Sequence, residues 1–528
     1  MSLMSTLARL EAVESGRARP LTTVRHRHLG DRPLVLVPLT TAGEAGAPLG
    51  ALVGTDRERP TLLTVAQPRD RDLRFTFLAE LADAILPHLE AYADDTEQVE
   101  RTETDPTTGK RVRAEAELCA DAPQLIVPGR AAIDFVRLLG RSMRFRRTTE
   151  QDPDTPYPAP PHVPLLGRWL THYGERARVP GSSLLLAATD LLGRHWATGQ
   201  SSVEDQHLGA LLAWIDPPGG HDGAEAALRA ETGRDARGQL LCPPAGPATD
   251  PAFDNKVLAP AVAAYDRARQ ELAAAEDGAA ADAWHGRLTA AEREIRAALH
   301  SQLAPTWHAV WHALDLLREL PEGSRVTDRW TRDRWSFTAH RDRVRAGEPP
   351  QPRQDDAVTA ARKLAARESA QAQLAAQEAL DDPLVLAERR LAGEAFVAEV
   401  TEVVMAWTES KRPSPRPLVT LRTDDGPRLT EGQKLYRSLE GRPQTAELVR
   451  QEPDGVLLVR LLDRMGRARD PAAGTVPEKG DRIDWTLFEH DVRGGPKLPE
   501  PEETPWTHGG PPGTTAENPD PVTPEDLL

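Results

Sequence analysis

Apolar and polar positions follow two different periods along the first 150 residues. Three short apolar runs are separated by glycine and proline, and residues 72–91 then repeat apolar side chains every three or four positions. Short runs between turn residues are typical of strands, whereas the longer repeat is typical of a helix. We therefore predict a mixed domain over residues 1–150, in which a β-meander precedes helices. The predicted strands are residues 33–39, 49–55, 61–66 and 124–127, and a second helix is predicted at residues 130–146.

The middle of the chain keeps the helical period almost throughout. Residues 162–233 predict a helical domain, and residues 253–408 predict a long helical arch. The arch is expected to end in two long helices, residues 356–380 and 383–407, because the sequence Asp381-Asp382-Pro383 interrupts the pattern. Both segments carry alanine-rich faces, which favour an antiparallel helix pair.

The period changes to alternation near residue 415. Five short apolar runs with glycine and proline between them predict a small SH3-like or OB-like β barrel over residues 415–490. Residues 494–528 are rich in proline, glycine, glutamate and threonine, so we predict a disordered acidic tail there. The expected fold class is α+β, predominantly helical, with an N-terminal mixed domain, a central helical arch and a C-terminal barrel.

Composition narrows the class of protein. The chain has 528 residues, a net charge of -16 and two cysteines, Cys119 and Cys242. Two thiols cannot form a disulfide framework or a cysteine zinc site. No apolar run is long enough to span a bilayer and no apolar signal core opens the sequence, so a cytoplasmic protein is expected. Arginine greatly outnumbers lysine, which is typical of a high-GC actinobacterial genome, and the acidic balance disfavours non-specific nucleic-acid binding.

Searches of the sequence for catalytic motifs are negative. It contains neither a P-loop, nor a dinucleotide-binding glycine motif, nor a G-x-S-x-G nucleophile elbow. Asp250 and Asp254-Asn255-Lys256 superficially resemble a carboxylate nuclease site, but they lie in one linker that enters a helix. We therefore predict no catalytic residue and no cofactor.

His308 and His312 are the candidate metal ligands. They lie four residues apart, so a helix places both imidazoles on one face, where they could share a zinc ion. Residue 309 is alanine, however, and not the glutamate that a zinc protease needs as its base. The alternative is that Trp307 and Trp311 pack in a core and the histidines lie at its edge.

Arginine and tryptophan alternate in a second candidate segment, in which the sequence Asp-Arg-Trp occurs twice, five residues apart. Arginine binds phosphate and tryptophan stacks on bases, a combination used for single-stranded nucleic acid. The alternatives are a partner-binding surface or a helix with internal Arg–Asp pairs and buried tryptophans. The candidate binding residues of this segment are Arg329, Trp330, Arg332, Arg334 and Trp335.

A basic helix end gives three more candidates, Arg137, Arg141 and Arg144. Cations at a helix C-terminus are favourable for the helix dipole alone, and a phosphate-facing edge is the alternative.

One similarity of layout concerns residues 356–490. Stalk-like helices that lead into a small barrel are similar to the accessory barrel domain of some superfamily 1 helicases, although the motor motifs of that family are missing here. We expect a non-catalytic cytoplasmic scaffold or adaptor that binds a partner protein, accessory to a separately encoded nucleic-acid-processing motor. The alternatives are direct single-stranded nucleic-acid binding through the Arg/Trp segment and the barrel, and a metal-dependent hydrolase or nuclease.

Overall fold

A computed structural model describes residues 2–104, 111–244, 246–275, 278–410, 413–466 and 468–490. The chain groups into two compact units. The larger unit is formed mainly by residues 25–358, and the smaller one by residues 359–490 together with the short stretch Leu21–Val24. The predicted disordered tail, residues 494–528, lies outside the described residues.

The chain up to residue 345 supplies both strands and helices. Its strands are β1 (Arg19–Pro20), β2 (Leu34–Thr41), β3 (Glu44–Gly54), β4 (Thr61–Thr64), β5 (Thr96–Thr104), β6 (Arg111–Cys119), β7 (Leu125–Val127), β8 (Leu185–Ala187) and β9 (Trp196–Ala197). Its helices are α1 (Leu3–Ser15), α2 (Arg71–Ala93), α3 (Arg130–Met143), α4 (Val163–Arg176), α5 (Ala188–His195), α6 (Leu208–Ile215), α7 (Gly223–Thr232), α8 (Pro251–Phe253), α9 (Ala259–Ala274), α10 (Ala279–Arg318) and α11 (Val326–Arg345).

A five-stranded sheet lies at the centre of the larger unit. Its strand order is β4-β3-β2-β7-β8. The first three strands form the antiparallel meander that the sequence predicts, and β7 and β8 add parallel to β2. Two further pairs stand apart from this sheet, the hairpin β5–β6 and the short pair β1–β9.

The sheet is covered on both faces because its strands alternate apolar side chains between two cores. Leu34 and Leu36 belong to a core built with helices α2, α3 and α4. Val35 and Val37 point the other way, into a core with helices α5, α6, α9 and α10. Successive side chains of a strand face opposite sides, so an uninterrupted apolar run predicts a strand buried on both faces.

Helices α3 and α4 approach closely where both carry glycine. A Cβ atom on Gly140 would lie 2.6 Å from the backbone nitrogen of Thr171, and one on Gly167 would lie 2.5 Å from that of Arg144. These distances leave no space for a methyl group, so the helix pair depends on glycine at both positions.

The smaller unit contains a closed antiparallel barrel with strand order β10-β11-β14-β13-β12-β15. Phe396, Val419 and Trp485 are among the fully buried side chains that fill its interior. Two helices, α12 (Ala357–Asp381) and α13 (Pro383–Leu391), precede it. The strands are β10 (Ala395–Val404), β11 (Leu418–Arg422), β12 (Lys434–Leu439), β13 (Arg442–Glu452), β14 (Val456–Leu461) and β15 (Arg482–Thr486).

The buried residue Asp382 joins distant parts of the smaller unit. One carboxylate oxygen caps α13 by accepting from the Leu384 backbone nitrogen at 2.9 Å. The other accepts from the backbone nitrogens of Thr23 at 2.6 Å and Val24 at 3.3 Å. This carboxylate explains why residues 21–24 belong to the same unit as the barrel.

The mixed α/β character, the predominance of helix over strand (46% against 21%) and the C-terminal barrel are confirmed. The helix predicted at residues 383–407 is wrong beyond Leu391. Gly393, with φ of 74°, ends α13 in a Schellman motif, in which the Glu394 nitrogen donates to the Arg389 carbonyl at 2.9 Å. Residues 395–404 then alternate buried and exposed side chains as the first barrel strand. The β5–β6 hairpin lies between the helix predicted at residues 72–91 and the strand predicted at residues 124–127, where no strand is predicted above.

Candidate functional site: an arginine crevice

Two neighbouring parallel strands send their following helices to opposite faces of the sheet. Strand β7 continues into α3, whose apolar side chains belong to the first core. Strand β8 continues into α5, whose residues Leu191 and Leu192 belong to the second core. In open α/β sheets, such a divergence opens a crevice at the carboxyl ends of the strands, which is where ligands bind.

A cavity of about 410 Å³ occupies this crevice. Its lining contains two aspartates, Asp190 and Asp205. It also contains five arginines from separate parts of the chain, which outnumber the carboxylates of the lining, and one of them, Arg178, pairs with Glu175 outside the lining at 3.7 Å. We call this cavity the arginine crevice, and its arginines are Arg9, Arg27, Arg130, Arg178 and Arg194.

The backbone adds further positive potential. Helix α3 begins after Gly129 and helix α5 after Ala187, and neither N-cap side chain accepts a hydrogen bond from the first turn. In the first turn of α5 the Thr189 nitrogen donates to the Pro128 carbonyl at 3.1 Å. The first N–H groups of a helix lack internal partners and carry the positive end of the helix dipole. Both helix starts therefore favour an anion in the crevice between them.

Ion pairs fix part of the lining. Arg130 donates through Nε and Nη2 to the two carboxylate oxygens of Asp190, at 3.2 and 3.0 Å, and so bridges the starts of α3 and α5. Arg9 lies 3.6 Å from Asp205, which also accepts from the Thr198 hydroxyl at 2.6 Å. Burial raises the pKa of the Asp205 carboxyl. Two carboxylates thus hold two of the five guanidinium groups in defined positions.

One wall of the crevice, residues 177–182, is held in place by Asp333 of α11. This carboxylate is 1% exposed and accepts from Arg176 Nη2 and the Ser182 hydroxyl, both at 2.7 Å, and from the Ser183 nitrogen at 2.6 Å. The Gln124 side chain donates to the Ser183 carbonyl at 2.7 Å. Because these bonds are buried and one is to a charged donor, the wall has a fixed position.

The predicted Arg/Trp segment forms most of α11, and its first part is buried. Arg329 is 5% exposed and donates to the His26 carbonyl at 3.0 Å. The Trp330 ring stacks on His28 at 4.2 Å between ring centroids, and its indole nitrogen donates to Asp121 at 2.7 Å. These groups connect α11 to residues 26–28 and to the loop between β6 and β7.

The second part of the segment packs on the β5–β6 hairpin. Arg334 donates to the Cys119 carbonyl at 3.0 Å and pairs with Glu97. The Arg101 guanidinium lies 4.9 Å from the centroid of the Trp335 ring. Arg332, which lies between Trp330 and Arg334 in the sequence, is exposed.

The three candidates on α3 lie away from the start of that helix. Arg137 pairs with Asp134 at 3.0 Å, and Arg141 is half-buried. Arg144 is 4% exposed and donates to the Gln351 carbonyl at 2.9 Å. The structure therefore brings none of these three into the arginine crevice.

The candidate metal ligands lie on α10. His308 is exposed, and His312 Nε2 lies 3.1 Å from the Asp216 carboxylate. Within the described part of the chain, histidine, cysteine and acidic side chains nowhere form a group of three that could hold a metal ion. Trp307 and Trp311 beside them are buried in the second core, as the packing alternative predicts.

The acidic pair proposed for a nuclease is used by the fold. Asp250 caps α8 by accepting from the Ala252 nitrogen at 3.3 Å. Asp254 accepts from the Thr249 hydroxyl at 2.5 Å and from the Ala42 nitrogen at 3.1 Å. Both carboxylates thus stabilise the linker and the adjoining β2–β3 turn.

Sequence reasoning missed the arginine crevice. Arg130 lies at the start of a predicted helix, and Arg178 and Arg194 lie within residues 162–233, for which the sequence predicts helices and not strand β8. The one usable signal was the strand 124–127 followed by Pro128-Gly129 and a helix without a polar N-cap residue.

Comparisons with known proteins give no relative: no protein-family model, curated protein or solved structure matches the chain. Among the described residues, no helix is both long and apolar enough to cross a membrane.

Proposed function

We propose that the protein is a non-catalytic binding protein of the adaptor type, whose arginine crevice captures a phosphate-bearing ligand. The observation that carries this proposal is the convergence of five arginines and two helix N-termini on one cavity at the carboxyl ends of parallel strands. Guanidinium forks and helix N-termini are the two groups that proteins most often use to bind phosphate.

The arrangement favours phosphate over a single carboxylate. A carboxylate presents two oxygens and one negative charge, which one guanidinium group already satisfies, as Asp190 does for Arg130. Phosphate offers more oxygens and up to two charges, so it can engage several arginines together.

The adaptor part of the proposal concerns the barrel. Its interior is filled by side chains such as Phe396 and Trp485, so a partner would contact its outer surface. This is how small SH3-like and OB-like barrels bind, and we place the protein partner there. A cytoplasmic location and an accessory role beside a separately encoded nucleic-acid-processing motor remain parts of the same proposal.

Direct nucleic-acid binding through the Arg/Trp segment is not part of the proposal. The side chains of Arg329, Trp330 and Arg334 make buried or partly buried contacts within the fold. A strand of nucleic acid would have to break these contacts before it could stack on Trp330.

The test is calorimetric titration of the full chain with inorganic phosphate and pyrophosphate at two salt concentrations. We expect saturable binding that weakens with salt, because screening reduces the attraction of charges that water can reach. Arg130→Gln should weaken binding about tenfold, the loss of one charge-assisted contact. The matched control is Arg59→Gln, since Arg59 is also exposed and also paired with an aspartate, at 2.9 Å, but lies outside the crevice. Absence of binding to wild type, or equal losses in both variants, would contradict the proposal.

A further inference from the structure

We infer that helix α1 is a self-association surface, on which a second copy of this chain docks with its own α1 in antiparallel orientation. This surface uses neither the phosphate ligand nor the outer surface of the barrel, so it goes beyond the proposed function. Three features of α1 support self-association: the side that packs on the protein, the side chains on the opposite side, and the position of the charges along the helix.

The side of α1 that packs on the protein carries a small side chain and a polar one. Ala12 is fully buried in a small core that includes Ala210 and Trp214. Arg9, one turn earlier, donates to the Gln200 carbonyl at 2.9 Å. These contacts fix the rotation of α1 about its axis and therefore determine which of its side chains face solvent.

Large aliphatic side chains lie on the opposite side of the helix. Leu3 precedes Ala12 by nine residues, about two and a half turns, so the two side chains point in opposite directions. Leu7 and Leu10 continue the line that Leu3 begins, at spacings of four and three residues. The three leucines and the neighbouring Val13 are each between 46% and 62% exposed. A surface helix normally turns its apolar side inward, so this exposed row marks an interaction surface.

The spacing of the leucines suits a second helix of the same kind. A repeat of four and three residues forms the seam of a two-helix coiled coil, in which side chains of one helix pack between those of the other. Antiparallel pairing places Leu7 of each copy against Leu10 of the other, so one patch meets itself across a two-fold axis. Helix α1 has 13 residues and is therefore about 20 Å long. A contact of this length is smaller than the roughly 1,200 Å² of stable interfaces, so we expect a weak, reversible dimer.

The charges of α1 determine the direction of pairing. Its first turn contains no acidic residue and its last turn no basic residue, whereas Glu11 and Glu14 lie towards its C-terminal end. Glu11 pairs with Arg19 at 3.6 Å, but the exposed Glu14 makes no ion pair within the described part of the chain. Acidic side chains are favourable at the positive N-terminal end of a helix and unfavourable at the C-terminal end. Antiparallel pairing brings Glu14 of each copy beside the N-terminal end of the other helix, whereas parallel pairing would bring the two Glu14 side chains together.

The test is sedimentation velocity of the full chain from micromolar to near-millimolar concentration, where the average mass should rise from monomer towards dimer. Leu10→Glu should weaken the dimer by more than about tenfold, because it puts a charge from each copy into an apolar seam. The matched control is Leu228→Glu on α7, since Leu228 is 60% exposed and Leu10 is 62% exposed. Neither substitution removes a core contact, so the two variants should unfold at the same temperature and differ only in self-association.

Glu14→Gln tests the direction of pairing. It should weaken an antiparallel dimer several-fold, because each copy loses a favourable charge beside the N-terminal end of the other helix. A tighter dimer in Glu14→Gln would show parallel pairing and overturn the antiparallel arrangement. A wild-type chain that stays monomeric throughout, or a dimer that Leu10→Glu and Leu228→Glu weaken equally, would overturn self-association through α1. Phosphate titration of the same samples reports on the crevice separately, so the two proposals can fail independently.

Discussion

Replacing Asp333 by asparagine tests how the buried carboxylate of α11 supports the crevice. Asp333 occurs in the second of the two Asp-Arg-Trp sequences, and Asp328 occupies the same place in the first. Asp333 is 1% exposed and accepts three hydrogen bonds, whereas Asp328 is exposed at the start of the helix. The same substitution at the two positions therefore compares a buried acceptor with an exposed one.

The expected magnitude follows from the three bonds. Asparagine keeps one acceptor oxygen, but its amide group would face one of the donors now bound by Asp333, and Arg176 would lose its charged partner. Losing one member of a buried ion pair costs about 3–5 kcal/mol, and one retained bond offsets part of this. We expect Asp333→Asn to lower the free energy of unfolding by about 3 kcal/mol. Asp328→Asn should change it by less than about 0.5 kcal/mol.

Urea unfolding of the full-length chain, followed by tryptophan fluorescence, measures both variants. The transition of the larger unit should move to lower urea for Asp333→Asn and stay in place for Asp328→Asn. If the two variants unfold within about 0.5 kcal/mol of each other, the three hydrogen bonds do not stabilise the native state as reasoned.

The phosphate affinity of Asp333→Asn distinguishes a positioning role of Asp333 from the simple effect of its negative charge. Removing a negative charge near the crevice would, by Coulomb attraction alone, tighten the binding of an anion. Loosening the wall at Ser182 and Ser183 would instead weaken the binding of the anion. We expect Asp333→Asn to bind phosphate several-fold more weakly than wild type, and tighter binding would contradict the positioning role.

Two further predictions concern stability. Burial and the cations of Arg343 and Arg168 lower the pKa of His340 to about 3, and burial lowers the pKa of its stacked neighbour His172. Since the unfolded chain takes up these protons below about pH 6.5, stability should fall as the pH drops towards 3, and His340 alone should contribute about 2 kcal/mol of this loss at pH 5. A urea midpoint that is the same at pH 7 and pH 5 would refute this. Gly167→Ala should destabilise by about 2 kcal/mol, because its Cβ would lie 2.5 Å from the Arg144 nitrogen, whereas Gly286→Ala, in open space on α10, should be neutral or stabilising in thermal melts.

Much of the fold follows from local patterns. The meander β2–β4 and helix α2 are predictable because glycine and proline separate short apolar runs from a long helical repeat. Strand β8 is not, because a three-residue strand within an apolar run is indistinguishable by period from a buried helix. Strand β10 is predictable, since Gly393 precedes a stretch rich in β-branched residues.

The site is less predictable than the fold. Each arginine of the crevice comes from a different segment, and these segments meet through tertiary contacts such as the parallel pairing of β7 with β8, which brings the starts of α3 and α5 together. The Arg/Trp segment likewise depends on tertiary contacts that its sequence does not reveal. Its residue types are those of a nucleic-acid surface, but most of its side chains connect α11 to its neighbours.

The carboxylate of Asp382 has a consequence for protein synthesis. It accepts from the backbone of Thr23, and the two residues are 359 positions apart. A ribosome adds about 5–20 residues per second, so Thr23 is synthesised roughly 20–70 seconds before its acceptor. During that time the nascent chain can complete most of the larger unit, but not the smaller one. Expression of residues 359–490 alone would omit this backbone partner, so the barrel should be studied with residues 21–24 present.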